Sequence, residues 1–248
     1  MKLSEIKKNF EIGAKENPLN TVLTEKKQWD SSDFFRDGIS EIGEVRDYLK
    51  KNKLNIGKKR VLDFGCGVGR LTQALAPFFK ESYGVDISEN MIKKAREYNK
   101  FGNKCKYLVN VKDNLRIFPD DHFDFIYSSI TLQHISQKYS LRYIKEFLRI
   151  LKPEGLIIFQ IPSRRIIKPG ENRLKYLVKG AILKIAPESF INYSKKARGM
   201  IVINMYPIKR ERLVDFISQN NGEVIDVIKD KWNNGRRYES LRYTIRKK

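Results

Sequence analysis

Between Arg60 and Ile161 the chain alternates short apolar runs with stretches of helical spacing. The apolar runs are Arg60 to Phe64, Ser82 to Asp86, Lys106 to Asn110, Phe123 to Ser128 and Leu156 to Ile161. Each is short and bounded by turn-forming residues, as buried strands are. Between them, Leu71, Leu75 and Phe78 keep a helical period, with Pro77 near its end. Met91, Ile92 and Ala95 do the same behind Ser88, a capping residue, in a helix running to about Tyr98. A further helix is read from Leu141 to Leu151. Strand alternating with helix predicts an α/β domain whose parallel sheet carries helices on both faces.

The flanks break this rhythm. Residues 3–16 read as a short polar helix, and residues 17–37 as irregular chain anchored by Pro18, Trp29, Phe34 and Phe35. A helix from Ile39 to Lys51 places Ile42, Val45, Tyr48 and Leu49 on one face. Residues 163–205 read as a helical insertion, with helices near 172–185 and 188–197 broken at Pro187. A helix from Lys209 to Gln219 then ends at Asn221-Gly222, a left-handed cap signal. Two strands close the chain, Glu223 to Ile228 and Tyr238 to Arg246, joined by Trp232-Asn233-Asn234-Gly235 in hairpin style. The organisation is therefore a helical extension over 1–55 and one domain over 56–248 that holds the insertion.

The 248 residues are 41% hydrophobic, enough for one α/β core without disulfide staples. Cys66 and Cys105 make no disulfide framework, and no metal ligand set is assigned. No charge-free apolar run approaches the roughly 18 residues of a membrane span. The first residues lack an apolar signal core, so the expected location is cytoplasmic. Charge changes the picture more. Lys and Arg number 50 against 29 acids, a net +21. Between Gln160 and Arg212, thirteen basic residues face three acids, so about half of the excess sits in about a fifth of the chain. Solvated lysines account for such a balance. So does an anionic partner, such as a membrane surface, a phosphorylated substrate or nucleic acid. Lys175, Lys179 and Lys184, interleaved with Leu174, Leu177 and Ile182, give the insertion a basic amphipathic stretch.

The chemistry concentrates where the first strand runs into Asp63-Phe64-Gly65-Cys66-Gly67-Val68-Gly69-Arg70. Residues without Cβ are needed where backbone approaches a ligand closely or takes φ > 0. The next strand ends in Asp86, where a carboxylate can accept from two ribose hydroxyls. An adenosine-containing ligand lying across the strand–helix gap suits both features. A dinucleotide fingerprint would require glycine at position 70, where this chain has arginine.

The spacing D-x-G-x-G-x-G resembles motif I of the class I S-adenosylmethionine-dependent methyltransferases. Phe123-Asp124-Phe125-Ile126-Tyr127-Ser128 and Arg149-Ile150-Leu151-Lys152-Pro153-Glu154-Gly155 resemble the family's fourth strand and its run into the fifth. Asn17-Pro18-Leu19, Trp29-Asp30 and Phe34-Phe35-Arg36-Asp37-Gly38, and the stretch from Asn204-Met205-Tyr206 to Tyr243, resemble a bacterial and archaeal branch of methyltransferase-domain proteins. The resemblance implies a Rossmann-like, doubly wound sheet of seven strands, mostly parallel with the last antiparallel, plus an N-terminal helical lid. It implies S-adenosyl-L-methionine held by Asp63, Gly65, Cys66, Gly67, Gly69 and Arg70, by Asp86 and Ile87, by Asn110 and Val111, and by Ser128 and Ser129. Asp63 either orients the ligand's ammonium group or holds the glycine loop. The adenine contact falls to Asn110 or Asp113. Cys66 is read as a small packing residue.

Ser129-Ile130-Thr131-Leu132-Gln133-His134-Ile135 occupies the loop that faces the acceptor in this family. His134 is either a general base, since imidazole titrates near neutrality, or a packed residue that stabilises the loop. His122 is read as solvated. The lid cover falls to Trp29, Phe34 and Phe35, which ordinary packing explains equally well. The resemblance implies methyl transfer by in-line displacement to an unidentified small-molecule acceptor, anionic or saccharide- or lipid-linked, with no oligomeric state assigned. RNA methylation and a non-catalytic binding subunit are the alternatives. Aminopropyl transfer and nicotinamide chemistry are disfavoured by the absent acidic amine-binding cluster and by the glycine spacing.

Overall fold

The computed structural model describes residues 2–24, 26, 28–166, 204–230 and 237–248. The two insertion helices, the lysines within them and the Trp232 to Gly235 turn lie outside the described residues. Three helices come first: α1 (Leu3–Glu16), α2 (Pro18–Val22) and α3 (Ser31–Lys51). The alternating unit follows as β1 (Arg60–Phe64), α4 (Arg70–Leu75), β2 (Glu81–Asp86), α5 (Glu89–Glu97), β3 (Cys105–Val109), β4 (Phe123–Ser128), α6 (Gln137–Ile150) and β5 (Leu151–Arg165). The chain closes with α7 (Arg210–Ser218), β6 (Gly222–Lys229) and β7 (Tyr238–Lys247).

The seven strands form one sheet in the order β3-β2-β1-β4-β5-β7-β6. β7 runs antiparallel between β5 and β6, and the other six strands are parallel to one another. Helices cover both faces. Ile144 and Phe147 of α6 and Leu213 of α7 pack on one face with Leu62, Ile126 and Ile157. Val45 and Leu49 of α3 pack on the other with Val61, Phe125 and Leu156. Strand order reverses between β1 and β4, so a crevice opens there at the carboxyl ends of the strands.

The segment read as irregular contains two helix starts. Asn17 accepts the Asn20 N–H at 3.2 Å and Pro18 opens α2. Asp30 accepts the N–H groups of Ser32 at 2.8 Å and Asp33 at 3.3 Å, so α3 begins at Ser31 rather than Ile39. α6 likewise starts earlier, at Gln137 behind Ser136. β5 begins at Leu151, on the other side of the Lys152-Pro153-Glu154-Gly155 turn, and runs to Arg165. Residues 163–165, read as insertion, therefore belong to the sheet: Arg164 and Arg165 pair with Glu239 and Tyr238 of β7.

Candidate functional site

The β1–α4 loop turns through three left-handed glycines. Gly65, Gly67 and Gly69 have φ of 76°, 53° and 84°. At Gly69, which caps α4, an added Cβ would lie 2.5 Å from the Tyr107 hydroxyl. At Gly67 it would lie 2.7 Å from Val22 of α2. Both the left-handed conformation and the close approach thus exclude a side chain. Asp86, at the end of β2, ties this loop to α5. Its Oδ2 accepts the Gly67 N–H at 2.9 Å, and its Oδ1 accepts the Ser88 N–H at 2.9 Å. Burial raises the Asp86 carboxyl above its ordinary value, and these N–H groups work against that shift.

A cavity of about 790 Å³ of empty space, part of it open to solvent, lies in front of this carboxylate. Among the residues expected to contact a ligand, Gly65, Gly67, Asp86, Ile87, Asn110, Ser129 and His134 meet on its wall. Asn110 is fixed there by its amide, which donates to Asn114 O at 2.8 Å and Lys112 O at 3.3 Å. Asp113 instead forms an ion pair with Arg142, so of the two adenine candidates only Asn110 lines the cavity.

The remaining expected residues lie elsewhere. Asp63 is buried behind the loop and accepts from the Thr72 hydroxyl at 2.6 Å. Burial pushes its carboxyl up to about 7. Cys66 is buried, and desolvation raises its thiol well above the ordinary value, which leaves no thiolate to react. Arg70 turns to α3, with Nη1 on Asp37 at 2.5 Å and Nη2 on Glu41 at 2.8 Å. Ser128 donates to Phe64 O at 3.0 Å and so joins the ends of β4 and β1. Val111 is exposed in the loop after β3.

His134 has a defined hydrogen-bonding pattern. Its Nδ1 lies 3.1 Å from Asn204 O, and its Nε2 lies 2.9 Å from Gln133 Nε2. A carbonyl only accepts, so Nδ1 carries the proton and Nε2 accepts from the Gln133 amide. The lone pair a general base would use is thereby engaged. Gln133 is held in turn by Gln160, whose amide also bonds Ser240. Gln160 Oε1 takes the N–H of Ile130, a β-branched residue held at φ 59° in the cavity wall. His122 is not a free surface group: it packs between Tyr83, Phe118 and Phe123.

The roof of the cavity was not foreseen in detail. Leu3, Ile6 and Phe10 of α1 and Thr21 and Val22 of α2 cover it. Glu11 pins α1 down by accepting the N–H groups of Glu89 at 2.6 Å and Asn90 at 3.3 Å, and Lys7 pairs with Glu89 at 2.7 Å. Trp29, Phe34 and Phe35 do not line the cavity. They pack beside it with Val68 and Met91. The spacing of Leu3, Ile6 and Phe10 is an amphipathic stripe, which a reading of 3–16 as merely polar overlooks.

A sequence profile described as "Methyltransferase domain" matches residues 62–159, from β1 into β5. The ubiquinone biosynthesis O-methyltransferase of Thiobacillus denitrificans is 31% identical over 173 residues, which cover 67% of this chain and 70% of that protein. The chain belongs to the class I S-adenosylmethionine-dependent methyltransferases. Phosphoethanolamine N-methyltransferase 1 of Zea mays is 35% identical over 148 residues, 58% of this chain. The methyltransferase chain spans about three tenths of the length of that relative, whose matched share is 29%. The magnesium protoporphyrin IX methyltransferase of Synechocystis PCC 6803, solved with bound SAH, has the same fold. It superposes with a TM-score of 0.64 at 17% identity, covering 99% of both chains.

Proposed function

We propose that this methyltransferase binds S-adenosyl-L-methionine in the cavity before Asp86 and transfers its methyl group to a small-molecule acceptor. The observation that carries the reading is the state of the Asp86 carboxylate. Its oxygens accept the backbone N–H groups of Gly67 and Ser88 while the carboxyl stands on the cavity wall, where it suits the two hydroxyls of a ribose. Ile87 offers an apolar surface for adenine, and Asn110 lines the cavity wall.

When bound, the ligand supplies a sulfonium-activated methyl group. The protein's task is to orient both partners and exclude water. Leu3, Ile6 and Phe10 form an apolar roof, which keeps solvent from the reacting atoms. Ser129, Ile130 and Thr131 line the wall against which an acceptor would be held for in-line attack. His134 keeps that wall in place through Gln133 and Asn204 O. In this reading it is an ordering residue and not the base.

For the acceptor we favour a phosphorylated small molecule. The net charge of +21 supports an anionic partner, as do the thirteen basic residues between Gln160 and Arg212. Phosphoethanolamine N-methyltransferases stand among the relatives. A cytoplasmic location belongs to the same proposal, and among the described residues no helix is long and apolar enough to cross a membrane. The test is transfer of labelled methyl from S-adenosylmethionine to a panel of phosphorylated amines and alcohols, paired with their dephosphorylated forms. Methylation confined to the phosphorylated members supports the reading. Equal methylation of both sets overturns the charge argument.

A further inference from the structure

Glu41 has no place in the cavity, yet its relative exposure is only 6%. It lies midway along α3, on the buried stripe that also carries Phe34, Gly38, Ile42 and Val45. Packing alone calls for an apolar residue there, because a buried charge is costly unless its oxygens are satisfied. They are. Oε2 accepts from Arg70 Nη2 at 2.8 Å, and Oε1 accepts from the Tyr127 hydroxyl at 2.8 Å. Burial by itself would raise the carboxyl. The Arg70 charge and the hydroxyls of Tyr127 and Ser129 outweigh it and hold the carboxyl below its ordinary value. The group is therefore ionised, and its hydrogen bonds are charge-assisted.

The two partners stand on opposite sides of the switch point. Arg70 opens α4 directly after the glycine loop. Tyr127 belongs to β4 two residues before Ser129, on the facing wall of the cavity. One carboxylate, reaching in from the N-terminal extension, thus holds both sides of the crevice. α3 comes close enough to do so because position 38 is glycine, where a Cβ would lie 2.7 Å from Arg70 Cγ. Asp37 adds a second bond to the same guanidinium.

We propose that Glu41 is a positioning residue that fixes the separation between the glycine loop and the loop after β4, and so tunes how tightly an adenosyl ligand is gripped between them. The binding part of this claim rests on the cofactor reading above; the clamp itself does not. It makes the N-terminal extension part of the site's framework, distinct from the roof that α1 provides.

The test uses the full chain with Glu41→Gln, which keeps size and an acceptor but loses the charge, and Tyr127→Phe, which removes one link. Both are titrated with S-adenosylhomocysteine, and amide hydrogen exchange of the unliganded proteins is followed over 65–69 and 128–135. Each single variant is expected to bind about tenfold more weakly, a change of about 1.4 kcal/mol. The double variant should bind no more than about twofold worse than the weaker single, since the two residues act as one link. Exchange should quicken in both segments. Unchanged affinity with only a lowered melting temperature would overturn the proposal, as would losses that multiply. If the wild type does not bind the probe, the cofactor reading fails, and faster exchange in both segments of the variants still supports the clamp, whereas exchange like that of the wild type overturns it.

Discussion

The Asp86 carboxylate accepts the Gly67 backbone N–H at 2.9 Å, so the acid that ends β2 also sets the shape of the glycine loop that follows β1. Asp86→Ala removes this bond, the Ser88 bond and the proposed ribose contact together. Affinity for S-adenosylmethionine should fall by about 1.5–3 kcal/mol, on the order of ten- to 150-fold. Asp86→Asn keeps one acceptor oxygen and should fall between the wild type and Asp86→Ala. Calorimetric titration reads the order. Equal affinity across the three proteins would contradict the assignment.

The roof depends on the Glu11 carboxylate at the amino end of α5, where the backbone N–H groups of Glu89 and Asn90 point at it. A carboxylate at a helix N-terminus contributes about 0.3–1 kcal/mol. Glu11→Ala should therefore loosen α1 without disturbing the sheet. Exchange of the amides over 3–16 is expected to rise while those of β1 and β4 stay protected. Unaltered protection in α1 would show that Leu3, Ile6 and Phe10, with the Lys7–Glu89 pair, hold the roof without Glu11.

Asp63 predicts a pH dependence. Burial raises its carboxyl to about 7, against an ordinary aspartate value near 3.8 in the unfolded chain. Between those values the folded protein holds a proton that the unfolded chain has released. Its contribution to stability is full below about pH 4 and is lost as pH rises towards 7. In Asp63→Asn this part of the pH dependence should vanish, so chemical denaturation at pH 4.5 and 7 should show a smaller difference than in the wild type. An undiminished difference would place the titrating group elsewhere.

The sheet was legible because its strands are short apolar runs with clear ends. β1 and β4 occupy the residues read for them, and β2 and β3 differ by a single residue at their ends. Their alternation with helices implies the parallel order. The helices of the extension were harder to read, for a local and a distant reason. The local one is Asp30, a helix cap preceding a stripe that Gly38 and Glu41 interrupt, so the apolar period of α3 showed only from Ile42 onward. The distant one is that Glu41 is buried by partners at positions 70 and 127, which no window along the chain brings together.

Within the site, the glycines and Asp86 carried their own signal, because backbone conformation and ligand chemistry both restrict those positions. Arg70 sits in the same motif but serves α3, 29 residues before it, through Glu41. The roles left open at Asp63 and His134 turn on hydrogen-bond partners, Thr72 for one and Gln133 with Asn204 O for the other. Only coordinates supply those.

The central claim is that the cavity before Asp86 takes S-adenosylmethionine. Calorimetric titration of the wild-type chain with S-adenosylmethionine, and separately with NAD, tests it most directly. The account predicts saturable one-to-one binding of S-adenosylmethionine, weakened in Asp86→Ala, and no binding of NAD at the same concentrations. Binding of NAD without S-adenosylmethionine, or binding of S-adenosylmethionine that Asp86→Ala leaves unchanged, would contradict it.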